Sequence, residues 1–87
     1  MQSSPDTIHI LHVDDDPELA DMVATFLERE DDRFVVETAV DAEDGLSCLD
    51  ESHFDCVVSD YDMPGRSGIE FLEAVRAEYS DLPFILF

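Results

Sequence analysis

The sequence contains no lysine, and four arginines are its only permanently cationic side chains, against 23 aspartates and glutamates. The formal net charge is therefore −19 over 87 residues. A surface of this sign repels phosphate, which excludes nucleic acid and anionic membrane surfaces as direct partners. Because aspartate alone accounts for 14 of the acidic residues, we expect adaptation to a salt-rich cytoplasm, where screening weakens repulsion between like charges.

Cysteine and long apolar runs are also scarce. Cys48 and Cys56 have no metal-binding spacing and are interpreted as core thiols in a reducing compartment. Residues 1–6 lack the basic and apolar parts of a signal peptide, and no run is long enough to span a membrane. With 45% hydrophobic residues in periodic runs, the chain is predicted to be one cytoplasmic domain, residues 7–87, after a polar lead-in, residues 1–6.

Strands and helices alternate along the chain. Short apolar runs predict strands over residues 7–13, 34–39, 55–60 and 84–87. The first helix is predicted from Pro17 to about Glu30, with Asp16 as its N-cap, and Asp41 is predicted to cap the second helix. The expected apolar stripes of the three helices are Leu19, Met22, Val23, Phe26 and Leu27; Ala42, Leu46 and Leu49; and Ile69, Leu72, Val75 and Tyr79. Gly45 is expected to weaken the second helix.

The order β-α-β-α-β-α-β predicts an α/β fold, a doubly wound parallel sheet with helices on both faces. In the flavodoxin-like strand order 2-1-3-4-5, strands one and three are neighbours. Their carboxyl ends carry Asp14 and Asp15 after strand one and Asp60 after strand three. Three carboxylates brought together there repel each other unless a cation intervenes. Mg²⁺ suits such oxygen ligands, so the sequence predicts a magnesium pocket with room for a phosphoryl oxygen.

Two motifs together resemble the receiver domain of two-component response regulators. They are Asp14-Asp15 after strand one and Asp60-x-x-Met63-Pro64-x-x-x-Gly68 after strand three. Residues 11–17 and 59–65 are also similar to receivers of haloarchaeal hybrid sensor histidine kinases. The resemblance implies that Asp60 accepts a phosphoryl group from the phosphohistidine of a histidine kinase or phosphotransfer domain. It also implies that Mg²⁺ is held by Asp15, Asp60, the backbone carbonyl of Asp62 and, through water, Asp14.

The chain departs from the family pattern at its carboxyl end. Receivers carry a Ser or Thr after strand four and a Lys after strand five, and neither is present in a chain that ends at Phe87. We therefore expect a receiver that is incomplete after strand four. Its strand 84–87 would then form an apolar edge, which favours self-association.

Two other functions stay open at this point. Asp60-Tyr61-Asp62 after an apolar strand also resembles the nucleophile motif of haloacid-dehalogenase-type phosphatases, although the Asp14-Asp15 pair is then unexplained. The missing Lys leaves an inert, receiver-shaped interaction module as a further possibility. As a receiver, the domain is expected to accept and lose one phosphoryl group rather than act as an enzyme by itself. His12 is interpreted as a packing residue.

Overall fold

The computed structural model describes residues 7–86, and these form a four-stranded parallel sheet with three helices. The elements are β1 (Ile8–Val13), α1 (Pro17–Glu30), β2 (Phe34–Ala39), α2 (Ala42–Glu51), β3 (Cys56–Ser59), α3 (Gly68–Glu78) and β4 (Phe84–Leu86). The strand order is β2-β1-β3-β4, with every neighbouring pair parallel. The predicted α/β class, the element order and the central position of β1 are confirmed.

The strand boundaries differ from the prediction by one residue. The first strand begins at Ile8, and the third begins at Cys56 and ends at Ser59, so Asp60 is the first residue after β3. The predicted lead-in, residues 1–6, and the last residue of the predicted fourth strand lie outside the described residues.

The helices begin at side-chain caps. Asp16 accepts from the backbone N–H groups of Glu18 and Leu19 at 3.1 and 3.3 Å, and Asp41 accepts from the N–H of Asp44 at 2.8 Å, as predicted. Helix α3 begins with a capping box between Ser67 and Glu70, a cap that was not predicted. The Ser-x-x-Glu spacing is the signal from which that cap was predictable.

The main core lies on the face of the sheet covered by α2 and α3. It joins Leu11, Val13 and Val57 of the sheet to Leu49 of α2 and to Phe71 and Val75 of α3. The ring of Phe71 also meets that of Phe84 edge to face, with centroids 5.5 Å apart.

The stripe predicted for α3 is only partly correct. Val75 is buried and Tyr79 packs against the core, as predicted, but the other buried residues of the helix are Gly68 and Phe71, and Ile69 is exposed. The physical reason is the close approach of Gly68 to the backbone: a Cβ there would stand 2.5 Å from the carbonyl oxygen of Asp60. This contact turns Phe71 inward and Ile69 outward.

The stripe predicted for α1 is at most half-buried. Leu19, Met22 and Phe26 are exposed, and Val23 and Leu27 are half-buried. The one buried residue of α1 is Ala20, which was not part of the predicted stripe. Helix α1 packs on β1 and β2, and that contact covers a narrower face than the apolar pattern spans. Within residues 7–86, no helix has the length and hydropathy of a membrane span.

Candidate functional site

The carboxylates of Asp14, Asp15 and Asp60 meet at the carboxyl ends of β1 and β3. One oxygen from each lies within 4.8 Å of the others. The pairing of the strands produces this meeting, since Val13 is in register with Ser59. The ladder then extends by one bond, from the N–H of Asp60 to the carbonyl of Val13 at 2.9 Å. The predicted convergence of these three residues is therefore observed.

The three carboxylates differ in burial and in hydrogen bonding. Asp14 is only 3% exposed, and its Oδ1 accepts the N–H of Asp16 at 2.9 Å. Asp15 is exposed and Asp60 half-buried. Within residues 7–86, neither of these two carboxylates accepts a hydrogen bond. Three hard oxygen donors with unused lone pairs are the kind of site that holds a small divalent cation such as Mg²⁺.

Asp62 lies in the loop that leaves the site. Its side chain is exposed and is not one of the three clustered carboxylates. Its carbonyl oxygen accepts no hydrogen bond from the described part of the chain, so that oxygen is available to a ligand. The loop turns at Gly65, whose φ of 81° lies in the left-handed region that favours glycine. The role of the Asp62 carbonyl stays a prediction.

His12 lies on β1, where it is buried behind the three carboxylates. Burial lowers the pKa of its imidazole below the ordinary value of 6.5, and the nearby charges of Asp14 and Asp60 only partly oppose this effect. The ring also interacts with the backbone of Ala20 in α1. A neutral, enclosed imidazole between a strand and a helix fits the predicted packing role.

Ser59, the last residue of β3, was not identified from the sequence. It is fully buried, and its hydroxyl donates to the carbonyl oxygen of Asp60 at 3.0 Å. No sequence pattern predicts this hydrogen bond, because its acceptor is the backbone carbonyl of the next residue. Arg66, in the loop after Asp62, was also not assigned, and it pairs with Glu43 of α2 at 3.2 Å. The pair connects this loop to the helix that follows β2.

Comparison with known proteins gives a consistent result. The model of the response regulator receiver domain family matches residues 10–87. The transcriptional regulatory protein FixJ of Bradyrhizobium diazoefficiens is 37% identical over 78 residues, which are 90% of this chain and 37% of FixJ. A putative transcriptional regulator of Haloferax volcanii is 43% identical over 67 residues, 77% of this chain and 11% of that protein. The chain thus spans well under half the length of these curated relatives.

Solved structures resemble the fold over nearly its whole length. The response regulator TrrA of Thermotoga maritima, crystallised with Mg²⁺ and BeF, matches with a TM-score of 0.86 and 31% identity over 92% of this chain and 68% of TrrA. TrrA in complex with the histidine kinase ThkA matches with a TM-score of 0.84 at 31% identity, over 92% of this chain and 67% of the other.

Proposed function

Because the chain belongs to the response regulator receiver domain family, we propose that it is the phospho-acceptor of a two-component phosphorelay and that Asp60 is the acceptor. The observation that carries the proposal is the position of the Asp60 carboxylate. It has no hydrogen-bond partner within residues 7–86 and lies within 4.8 Å of two further carboxylates. A nucleophile of this kind needs its charge balanced before it can approach a phosphoryl group.

In the proposed reaction, an oxygen of Asp60 forms a bond to the phosphorus of a phosphohistidine. The phosphorus–nitrogen bond breaks, and its electron pair stays on the imidazole of the donor. Water later attacks the acyl phosphate, which releases inorganic phosphate and restores the Asp60 carboxylate. A bound Mg²⁺ would supply positive charge for the transferring oxygens. We assign it to Asp15, Asp60 and the carbonyl of Asp62, with Asp14 acting through water.

The donor is proposed to be a histidine kinase or a phosphotransfer domain. The TrrA–ThkA complex supports this assignment by analogy, since its receiver resembles the present chain. The phosphorylated domain would regulate an output or kinase module of a longer protein. We place it in the cytoplasm, in keeping with the free Cys48 and Cys56. The acidic composition and the Haloferax volcanii relative support adaptation to high salt.

A small-molecule phosphodonor with Mg²⁺ tests the proposal and separates it from the alternatives. We expect intact-mass measurement to show one added phosphoryl group, labile to hydroxylamine as an acyl phosphate is. Asp60→Asn should abolish the adduct, whereas the matched control Asp62→Asn should retain it, because only the backbone of Asp62 is invoked. Rapid multiple turnover of the donor would favour a phosphatase. Absence of any adduct would favour an inert interaction module.

A further inference from the structure

The carbonyl group of Asp60 is enclosed between Ser59 and Gly68. The hydroxyl of Ser59 donates to the Asp60 oxygen at 3.0 Å from a fully buried position. On the other side, Gly68 lies so close that a Cβ at that position would stand 2.5 Å from the same oxygen. Ser59 is the only hydrogen-bond donor to this oxygen within residues 7–86.

The next two carbonyl groups continue the pattern. The oxygen of Tyr61 accepts the N–H of Gly68 at 2.9 Å. The oxygen of Asp62 accepts nothing from the described residues. Two successive peptide planes are therefore held by Ser59 and by the first residue of α3, and the third carbonyl is available to a ligand.

We propose that Ser59 is a positioning residue of the acidic pocket, the cluster of Asp14, Asp15 and Asp60. Its hydroxyl fixes the orientation of the Asp60–Tyr61 peptide. That peptide in turn fixes the positions of the Asp60 carboxylate and the Asp62 carbonyl. The inference rests on the proposed function, since it concerns the pocket assigned to Mg²⁺ and the phosphoryl group. Ser59 does not touch the reacting atoms in this scheme. Its hydroxyl faces the main chain and is closed off from solvent.

The physical reason is the cost of leaving a carbonyl in an enclosed position without its donor. Without the hydroxyl, the Asp60 oxygen would remain against Gly68 with no partner, and the peptide would rotate to find one. That rotation would displace Tyr61 from the N–H of Gly68 and move the Asp60 carboxylate relative to Asp14 and Asp15. Displacements on the order of 1 Å are enough to weaken a metal or reaction site.

The test compares Ser59→Ala, which removes the hydroxyl, with Ser59→Thr, which keeps it. Mg²⁺ affinity is measured by calorimetry well below the melting midpoint of each variant. We expect Ser59→Ala to weaken binding about threefold or more and Ser59→Thr to restore it. Ser47→Ala removes an exposed hydroxyl of α2 and should leave the affinity unchanged. Val75→Ala provides a variant destabilised in the core, away from the carbonyl of Asp60.

The outcomes separate this inference from the proposed function. Unchanged affinity in Ser59→Ala overturns the inference while leaving the Mg²⁺ site intact. So does an equal loss in Val75→Ala, because stability alone would then explain it. Failure of the unaltered protein to bind Mg²⁺ overturns both proposals. If Ser59→Ala does not fold, Ser59→Cys, similar in size but a weak donor, takes its place with the same expected loss of affinity.

Discussion

Gly45 of α2 lies directly against the ring of Phe71 in α3. A Cβ at Gly45 would stand 2.8 Å from Cζ of Phe71 and 3.1 Å from a methyl carbon of Val13. The residue expected only to weaken α2 therefore lets two helices and the central strand come together. Its helix-propensity cost is offset by packing that a larger residue would prevent.

We expect Gly45→Ala to lower the free energy of unfolding by about 1–3 kcal/mol through overpacking, although alanine is the better helix former by about 1 kcal/mol. Urea denaturation measures the change. Ser47→Ala, on the exposed side of the same helix, is the matched control and should stay within about 0.5 kcal/mol of the unaltered protein. A Gly45→Ala variant as stable as its parent would mean that Phe71 can move aside without cost.

The acidic pocket predicts an unequal response to removal of charge. Asp15→Asn should weaken Mg²⁺ binding about tenfold or more, given that even outer-shell substitutions cost 10–100-fold. Asp14→Asn should weaken it less, because one oxygen of Asp14 already accepts the N–H of Asp16 and its contact is proposed to run through water. Calorimetric titration of both variants gives the comparison. Equal binding by Asp15→Asn and the unaltered protein would remove Asp15 from the site.

His12 predicts a pH dependence of stability. Its pKa is lowered by burial, so the unfolded chain binds the proton more readily than the folded one. The contribution of neutral His12 to the free energy of unfolding is complete above the unfolded-state pKa of 6.5. It is lost as the pH falls towards the lower pKa of His12 in the folded state. Between about pH 7.5 and 5.5, the free energy of unfolding should therefore fall more steeply in the unaltered protein than in His12→Gln.

Chemical denaturation in magnesium-free buffer at several pH values measures this slope. His53→Gln is the control for loss of an imidazole from the surface, because the side chain of His53 is 83% exposed. Parallel slopes for His12→Gln and the unaltered protein would contradict the argument.

Net charge predicts a dependence on salt. With a net charge of −19, the carboxylates of the folded chain repel one another at low ionic strength. The Debye screening length falls to about 3 Å at 1 M salt, which weakens this repulsion. The melting midpoint followed by circular dichroism should rise from low to molar KCl. A variant neutralised at four exposed sites, Asp21→Asn, Glu30→Gln, Asp32→Asn and Glu78→Gln, should rise less. A midpoint that is flat in KCl would exclude the high-salt interpretation.

The outer edge of β4 predicts self-association of the 87-residue polypeptide. β4 is the last strand of the described sheet, and Ile85 on it is 54% exposed. A short apolar edge of this kind is a template for pairing with another chain. Sedimentation velocity in high salt should show association that Ile85→Lys reduces. Val35→Lys places the same charge on β2 at the opposite edge and should not reduce it. A monomeric parent protein would rule this interface out.

The sequence predicted what depends on local pattern. The alternation of strands and helices, the caps at Asp16 and Asp41, and the convergence of three aspartates all follow from short stretches and the rules of parallel sheets. The face of α3 did not follow, because Ile69 lies three residues before Leu72 and Phe71 four residues before Val75, so each fits a stripe at helical spacing. Only the contact of Gly68 with the Asp60 carbonyl decides between them. Ser59 was not identified for the same reason, since its proposed role depends on the enclosure of that carbonyl by Gly68.

The pairing of β1 with β3 has a thermodynamic consequence for the pocket. Asp14 and Asp15 follow β1. Asp60 follows β3, which is separated from β1 in the sequence by α1, β2 and α2, so Asp60 joins them only when β3 has paired with β1. A species in which β3 is undocked has two of the three carboxylates in place and lacks Asp60, the proposed phospho-acceptor. A cation that needs all three therefore adds its binding free energy only to the state with β3 docked. The cation affinity of this domain therefore also reports whether β3 is paired in register with β1.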